Sequence, residues 1–422
     1  MAVNDDGKTG SQLKSARSGF EAAIERFLTG EAAKGVAAFL VVALVVRLLL
    51  DIANTYIGTG KPFFADFISF WTAANSAVNG DFLLPYHFEE FSARQVELFE
   101  RGKFAFFYPP TWLLYLLPFG LLPYEAAVIL FEAITLSAAC LVLALLARRM
   151  NAVWMVFVFP GLAFGVLHGQ NSLLNVALFG GALAALDRGR PILAGVLIGL
   201  MAYKPHFGVL IPFALLAGRE WRAFFAAGVT TVVVALISYA VFGLATWQAF
   251  LDQAPEANAW MLEAKVSMAK YASVFGWLRQ YDSPVDVAMA AQALVSAVAL
   301  GSVVLIWSRN VSISIKGAVL VSAACVATPF ILDYDLALLA IPLVLIIRQG
   351  LETGFLRFEC EGLLIASLLM LATNGWGFGF EKTLAPLPPL LFFALSLRRA
   401  VVSVTTFGVE AEQGEAALAP AE

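Results

Sequence analysis

Phe63-Phe64-Ala65-Asp66-Phe67-Ile68-Ser69-Phe70-Trp71-Thr72-Ala73-Ala74-Asn75, running on to Gly80, Pro85 and Tyr86, is the stretch around which the chain is organised. At helical spacing Phe67, Phe70, Trp71, Ala74, Ala77 and Val78 share one apolar face, and Ser69, Thr72, Asn75, Ser76 and Asn79 the other. Gly80 is a natural stop. A helix of this pattern suits the membrane surface. Asp66 stands at its first turn, where two readings compete. It is an ordinary N-cap, accepting from orphan backbone N–H groups. Alternatively, it is a general base held at the membrane face. Spacing alone does not choose between them.

Outward from this stretch the chain is apolar. Of 422 residues 60% are hydrophobic and 14% charged, with mean hydropathy +0.81. Repeated apolar runs that avoid charge indicate an all-α polytopic membrane protein. No basic patch interleaved with aromatics suggests nucleic acid. Cys140, Cys325 and Cys360 lie in or beside apolar stretches, and His87, His168 and His206 lie far apart, so neither a disulfide framework nor a metal site is expected.

Residues 1–34 read as a cytoplasmic tail, with an amphipathic helix over Leu13–Leu28. The membrane domain covers 35–400. A tail covers 401–422, and from Gly408 to Glu422 it is Ala- and Glu-rich and expected to be disordered. The first span is Val36–Ile57, where Arg47 has Asp51 one turn on. Residues 58–110 form a long first outer loop holding the Asp66 helix and a second amphipathic helix over Phe88–Arg101. Tyr108-Pro109-Pro110 then breaks the chain. Thr111–Leu122 is apolar but too short for a straight crossing.

The remaining spans are Glu125–Leu146, Ala152–Val166, Ser172–Leu186, Pro191–Tyr203, His206–Leu216 and Trp221–Leu244, then, after a loop over Ala245–Asp282, Val285–Trp307, Ser312–Ile331, Leu336–Ile347, Leu363–Asn374 and Leu384–Leu397. That makes about twelve. Several fall short of the roughly 20 residues of a straight crossing, which predicts broken or tilted helices around a cavity. With the N-terminus inside, each short inner segment carries a cation pair: Arg148-Arg149, Arg188 and Arg190, Arg219 and Arg222, Arg309 and Lys316, Arg348 and Arg357, Arg398-Arg399. The same orientation puts the Asp66 loop, His168-Gly169-Gln170-Asn171, Lys204-Pro205-His206 and Asp333-Tyr334-Asp335 together on the outer side.

These motifs, in this order, resemble glycosyltransferase family 87. The residues that carry the likeness are Asp66-Phe67-x4-Ala73-Ala74-x5-Gly80-x4-Pro85-Tyr86, Tyr108-Pro109-Pro110, Gly169-Gln170-Asn171, Ala194-Gly195-x3-Gly199-Leu200 and Lys204-Pro205. Thr328-Pro329-x3-Asp333-Tyr334-Asp335 is similar to the family's late Ser/Thr-Pro segment, without the His of some members. The resemblance implies a GT-C bundle and a polyprenol-phosphate-mannose-dependent transfer. On it, Asp66 is the catalytic base. Lys204 binds the donor phosphate, with His206, Arg94, Arg101 and Lys103 as further cations. Gln170, Asn171, Asp333, Asp335 and Tyr108 meet sugar or acceptor hydroxyls.

Each residue also has a plainer reading. Lys204 could reach the outer interface, Gln170 and Asn171 could satisfy loosened backbone, and Asp333 and Asp335 could cap the next span. Glu132 inside an apolar run is costly unless it faces a cavity or a partner. Trp260, Tyr271 and Trp277 suit either sugar stacking or the interface. Asp66 has no DxD neighbour, so no metal or other cofactor is expected. The expected partners are a polyprenyl-phosphate sugar, a glycolipid or glycan acceptor and the lipid bilayer. The setting is the inner membrane, with the site on its outer face. A transporter or flippase of lipid-linked sugars and a non-catalytic scaffold are the alternatives.

Overall fold

The computed structural model describes residues 64, 66–100, 102–148, 159–263, 266–373 and 382–418, with side chains to 405. The tail over 1–34 with its Leu13–Leu28 helix, the Val36–Ile57 span with Arg47 and Asp51, Arg101, and the first part of the Ala152–Val166 span lie outside these residues. Among the described residues there is no β-strand, only an isolated bridge between Tyr271 and Leu332. Five of the described helices are long and apolar enough to cross a membrane, so the chain reads as a membrane protein. Cys140 and Cys325 are free thiols.

The Asp66 stretch forms α1 (Phe67–Val78), followed by α2 (Phe88–Phe99) and α3 (Pro110–Gly120). α1 does not lie on the surface. Its polar side is covered as fully as its apolar side, with Ser69, Thr72 and Ser76 all buried. Ser69 donates to the Ala105 carbonyl (3.0 Å) and Asn75 to the Gly120 carbonyl (3.2 Å). A Cβ on Gly120 would come within 2.5 Å of the Ala74 backbone, so α3 lies directly on α1. The alternating polarity of α1 therefore reflects hydrogen bonds to neighbouring backbone rather than contact with water. α3, at 11 residues, is as short as expected.

α4 (Tyr124–Ala147) is the long strut. Its first residue, Tyr124, donates to the Phe64 carbonyl at 3.0 Å, beside Asp66. Just past its other end Arg148 pairs with Asp187 at 2.9 Å, and the same carboxylate takes Arg348 at 2.9 Å. With 24 residues α4 separates these ends by about 36 Å.

α5 (Pro160–His168) and α6 (Ser172–Asp187) meet at Gly169, whose φ of 67° is a left-handed turn. A Cβ there would stand 2.8 Å from that of Phe64 and 3.1 Å from that of Phe67. Only glycine lets this corner close on the start of α1. α7 (Pro191–Gly199) runs into a 3-10 turn over Leu200–Tyr203, then Lys204, α8 (Pro205–Gly208) and α9 (Ile211–Ala217). Gly195 and Gly199 present a small-residue face to Ala223, Ala227 and Thr230 of α10 (Trp221–Leu262), letting the backbones approach closely.

α10 corrects one expectation. The Ala245–Asp282 segment, expected to be a loop, begins as a helical arm. Gly243, at φ 78° and ψ 173°, turns the chain, and helix resumes to Leu262. The arm's polar residues hid it from periodicity. Trp260 fixes it against Phe88 (4.6 Å between ring centroids) and Phe107 (5.6 Å), so Trp260 is engaged inside the protein. Tyr271 is likewise buried, donating to the Met261 carbonyl at 2.9 Å.

Beyond α11 (Val274–Arg279) come α12 (Val285–Trp307) and α13 (Ile313–Ala327), the latter capped by the Ser312 hydroxyl. A 3-10 stretch over Asp333–Leu339 leads into α14 (Ala340–Thr353), then α15 (Glu359–Leu369) and α16 (Leu387–Leu418). α16 is a second correction. Helix runs on to Leu418, through most of the 408–422 stretch where disorder was expected, because Ala and Glu are strong helix formers.

Candidate active site

Asp66 occupies the N-cap position of α1 but its side chain makes no cap bond. Its Oδ2 instead accepts from Gln170 Nε2 at 3.2 Å. The carboxylate thus faces the α5–α6 corner that Gly169 brings close. Gln170 Oε1 accepts in turn from the Tyr108 hydroxyl at 3.5 Å.

The break between α7 and α8 supplies the second half. Lys204 is 4% exposed. Its Nζ donates to Asp335 Oδ1 at 2.5 Å and to Asn171 Oδ1 at 3.1 Å. The ammonium also lies 5.3 Å from the ring centroids of both Phe207 and Tyr334. Of the plainer readings of this region, one fails and one holds in part. Lys204 does not reach the interface, but Asp335 does cap, its Oδ2 accepting from Leu332 N at 3.4 Å while Oδ1 takes Lys204.

Asn171 joins the halves, being adjacent to Gln170 in sequence and bonded to Lys204. Behind them is a wall of rings. Tyr108 meets Phe70 (5.3 Å) and Trp112 (5.9 Å), and Trp112 stacks on Tyr203 at 4.5 Å. Burial pushes the Tyr108 phenol well above its usual range. The charges of Asp335 and Asp66 push the same way, and the nearby Asn171 amide works against them. Tyr108 is therefore a neutral hydroxyl within electrical reach of both carboxylates.

Some polar atoms around the cluster remain unspent. Asp333 is fully buried; its Oδ1 accepts from Tyr334 N at 2.9 Å, while Oδ2 has no partner. Asn171 Nδ2 and Ser172 Oγ are also buried without partners. Atoms of this kind cost free energy unless something binds them. Among the described residues, no group of three His, Cys, Asp or Glu side chains converges as a metal site would.

Asp66, Gln170 and Tyr108 thus form one hydrogen-bonded group and Lys204, Asn171 and Asp335 another, the two joined at the Gln170–Asn171 peptide, with Asp333 next but one to Asp335. Arg94 and Lys103 are elsewhere. Arg94 pairs with Glu97 at 2.7 Å on the outward face of α2, and Lys103 is exposed. Arg94 follows the polar face of α2, and Lys103 lies in the loop beyond that helix, away from the site. His206 sits two residues from Lys204, but its ring packs on Phe207 (4.5 Å between centroids) and makes no bond to the cluster. Glu132 is buried with both oxygens unpartnered. Trp277 Nε1 is buried and unpartnered too, so the indole N–H does not reach water as an interfacial Trp would.

Sequence reading passed over Asn175 and Tyr203. Asn175 Nδ2 donates to Asn171 Oδ1 at 3.4 Å, and its Oδ1 accepts from Tyr203 at 2.6 Å. The signal was present, since Asn171 and Asn175 lie four residues apart on one helix face.

No curated protein and no solved structure matches the chain. A family model does match, over residues 106–329. That segment holds Tyr108, Gln170, Asn171 and Lys204, and begins beyond Asp66. The match covers more than half of the 422 residues, and by it the chain belongs to glycosyltransferase family 87.

Proposed function

We propose that this glycosyltransferase takes its sugar, mannose by default, from a polyprenyl-phosphate donor and passes it to a lipid or glycan acceptor on the outer face of the inner membrane. The scaffold is a GT-C bundle of about twelve spans, with several of the shorter apolar helices completing the five long ones. Asp66 takes the proton from the acceptor O–H. That oxygen attacks the anomeric carbon as the bond from this carbon to the phosphate oxygen breaks, inverting the configuration. The polyprenyl phosphate leaves as an anion. An ammonium has three hydrogens, of which Asp335 and Asn171 take two, leaving one for the departing phosphate. Asp333 Oδ2 and Asn171 Nδ2 are free to meet hydroxyls of the sugar or acceptor. The reaction requires no general acid, because the leaving group is already a stable anion, and with no DxD pair beside Asp66 the transfer is taken to be metal-independent.

One observation carries this reading. Asp66 is not used as a helix cap and is held by Gln170, whose chain neighbour Asn171 binds a buried lysine. The family match favours transfer over the transporter and scaffold alternatives. The test is Asp66→Asn, assayed with radiolabelled polyprenyl-phosphate mannose in the presence of a chelator. The parent should transfer under chelation. The variant should lose transfer by roughly 10²–10⁴-fold while still binding the donor. Near-parental transfer by Asp66→Asn would remove the base from the mechanism, and loss of parental activity with the chelator would refute metal independence.

A further inference from the structure

Beside the Asp66–Lys204 cluster, three ionisable side chains approach one another without bonding. Tyr271 and Leu332 form an antiparallel bridge, and Ala272 N donates to the Ile331 carbonyl at 3.0 Å. One step along this pair Lys270 stands opposite Asp333, and opposite residues of an antiparallel pair share a face. His168, the last residue of α5, lays its ring 5.7 Å from that of Tyr334, the chain neighbour of Asp333. Asp333 lies within electrostatic reach of Lys270, of His168 and of Asp66. None of them touches it. Asp333 is 0% exposed; its Oδ1 takes Tyr334 N, and Oδ2 has no partner. A buried carboxylate oxygen left apart from a nearby ammonium is costly unless a guest fills the gap.

The gap selects its guest. His168 Nδ1 lies 3.0 Å from the Phe164 carbonyl, which can only accept, so Nδ1 carries the hydrogen and Nε2 of the neutral ring is an acceptor. Two acceptors, Asp333 Oδ2 and His168 Nε2, therefore face one donor, the half-buried Lys270 ammonium. A phosphate or carboxylate would meet the charge of Asp333 and the lone pair of Nε2. An ammonium would meet Lys270 as a like charge. Two neighbouring hydroxyls satisfy all three groups: each O–H donates once, and an oxygen lone pair accepts from Lys270.

We infer that His168, Asp333 and Lys270 hold a pair of neighbouring hydroxyls on the acceptor, next to the hydroxyl that Asp66 deprotonates. The inference rests on the donor and base proposed above. The two late carboxylates divide the site, because Asp335 is bonded to Lys204 while Asp333 lies within reach of Asp66. In an inverting displacement the attacking oxygen enters opposite the departing phosphate, so the Asp333 side belongs to the acceptor. The acceptor is then a polyol ring, uncharged where it meets the base.

The test supplies the natural acceptor as membranes of the source organism lacking this protein, with purified protein and radiolabelled polyprenyl-phosphate mannose. Initial rates are followed against the amount of membrane and, separately, against donor. Asp333→Asn, Lys270→Met and His168→Phe, which keeps a ring on Tyr334, should each raise the half-saturation for membrane roughly tenfold, the loss of one hydrogen bond, and leave that for donor unchanged. His168→Gln, whose carbonyl can accept in place of Nε2, should recover most of the loss. Gly301→Leu, in open space on α12, should change neither. Prior treatment of the membranes with mild periodate, which cleaves neighbouring hydroxyl pairs, should abolish acceptance. Tighter acceptance by Asp333→Asn would mean that an anion fills the gap, a raised half-saturation for donor alone would move the three residues to the donor sugar, and no change in either would reduce them to structure. Each of these results, or full acceptance by periodate-treated membranes, would overturn the assignment while transfer by the parent keeps the donor reading intact. Absence of transfer by the parent would instead remove the donor reading, and the acceptor site with it.

Discussion

The Lys204–Asp335 pair offers the sharpest test, because stability and activity should respond to it differently. Its side chains are 5% and 2% exposed. Removing one partner of a buried pair leaves the other desolvated and uncompensated, at a cost of about 3–5 kcal/mol. Lys204→Met keeps the stem that lies against Phe207 and Tyr334 but strands Asp335, whose remaining partner is the Leu332 N–H. Asp335→Leu strands the ammonium on Asn171. The double variant Lys204→Met/Asp335→Leu strands neither and fills similar volume. Replacing a whole buried pair by apolar groups is often near neutral. Each single variant should therefore melt several degrees below the parent in detergent, and the double variant should recover most of the loss. Transfer activity should behave otherwise. If the third Lys204 hydrogen serves the phosphate, the loss of a charge-assisted bond of about 1.5–3 kcal/mol lowers kcat/KM by roughly 10–150-fold. The double variant should stay as inactive as Lys204→Met. Additive melting losses would show that the pair is not coupled as described. Recovery of activity along with stability would reduce Lys204 to a structural residue.

Three further outcomes follow from the geometry. Gly120→Val drives a side chain into the Ala74 backbone, and overpacking of this kind costs about 1–3 kcal/mol; α1 should shift, and both melting temperature and kcat should fall, whereas Gly301→Leu should change neither. Gln170→Ala removes the donor to Asp66, so kcat should drop about tenfold through lost positioning with little change in donor affinity, read by steady-state kinetics and a binding assay. Glu132→Leu deletes two buried, unpartnered oxygens, so it should raise the melting temperature and leave transfer intact; a lower melting temperature would mean that Glu132 has a partner.

Much of the fold was legible because hydrophobic runs and their breakers are local. Glu125–Leu146 was expected and Tyr124–Ala147 is helical; Val285–Trp307 agrees at both ends. Pro, Gly and charge mark such ends directly. The arm after Gly243 and the helix beyond residue 400 were not legible, for opposite reasons. In the arm, Asp252 and Glu256 break the apolar pattern, and only aromatic contacts far apart in sequence hold it as helix. Beyond 400, composition suggested a solvated chain, while the same Ala and Glu favour helix when an existing helix can propagate into them.

The site was legible as residue types but not as a geometry. Asp66 read as a cap on spacing and as a base only through the family likeness, because both uses put a carboxylate at a helix start. What separates them is Gly169, a hundred residues away, whose left-handed turn lets Gln170 reach Asp66. The cations show the converse. Arg94, Lys103 and Lys204 carry the same charge, and sequence alone offers no ranking among them beyond the apolar runs around Lys204. Burial then does the sorting. A lysine withdrawn from water must be compensated, and the chain compensates Lys204 with Asp335, Asn171 and two ring faces drawn from three separate segments. Arg94, left in solvent, needs only Glu97 one turn away. A cation held by so many long-range partners is costly to keep for structure alone, since an apolar pair of similar volume would serve the fold as well. That cost is the physical reason to place the chemistry between positions 66 and 204.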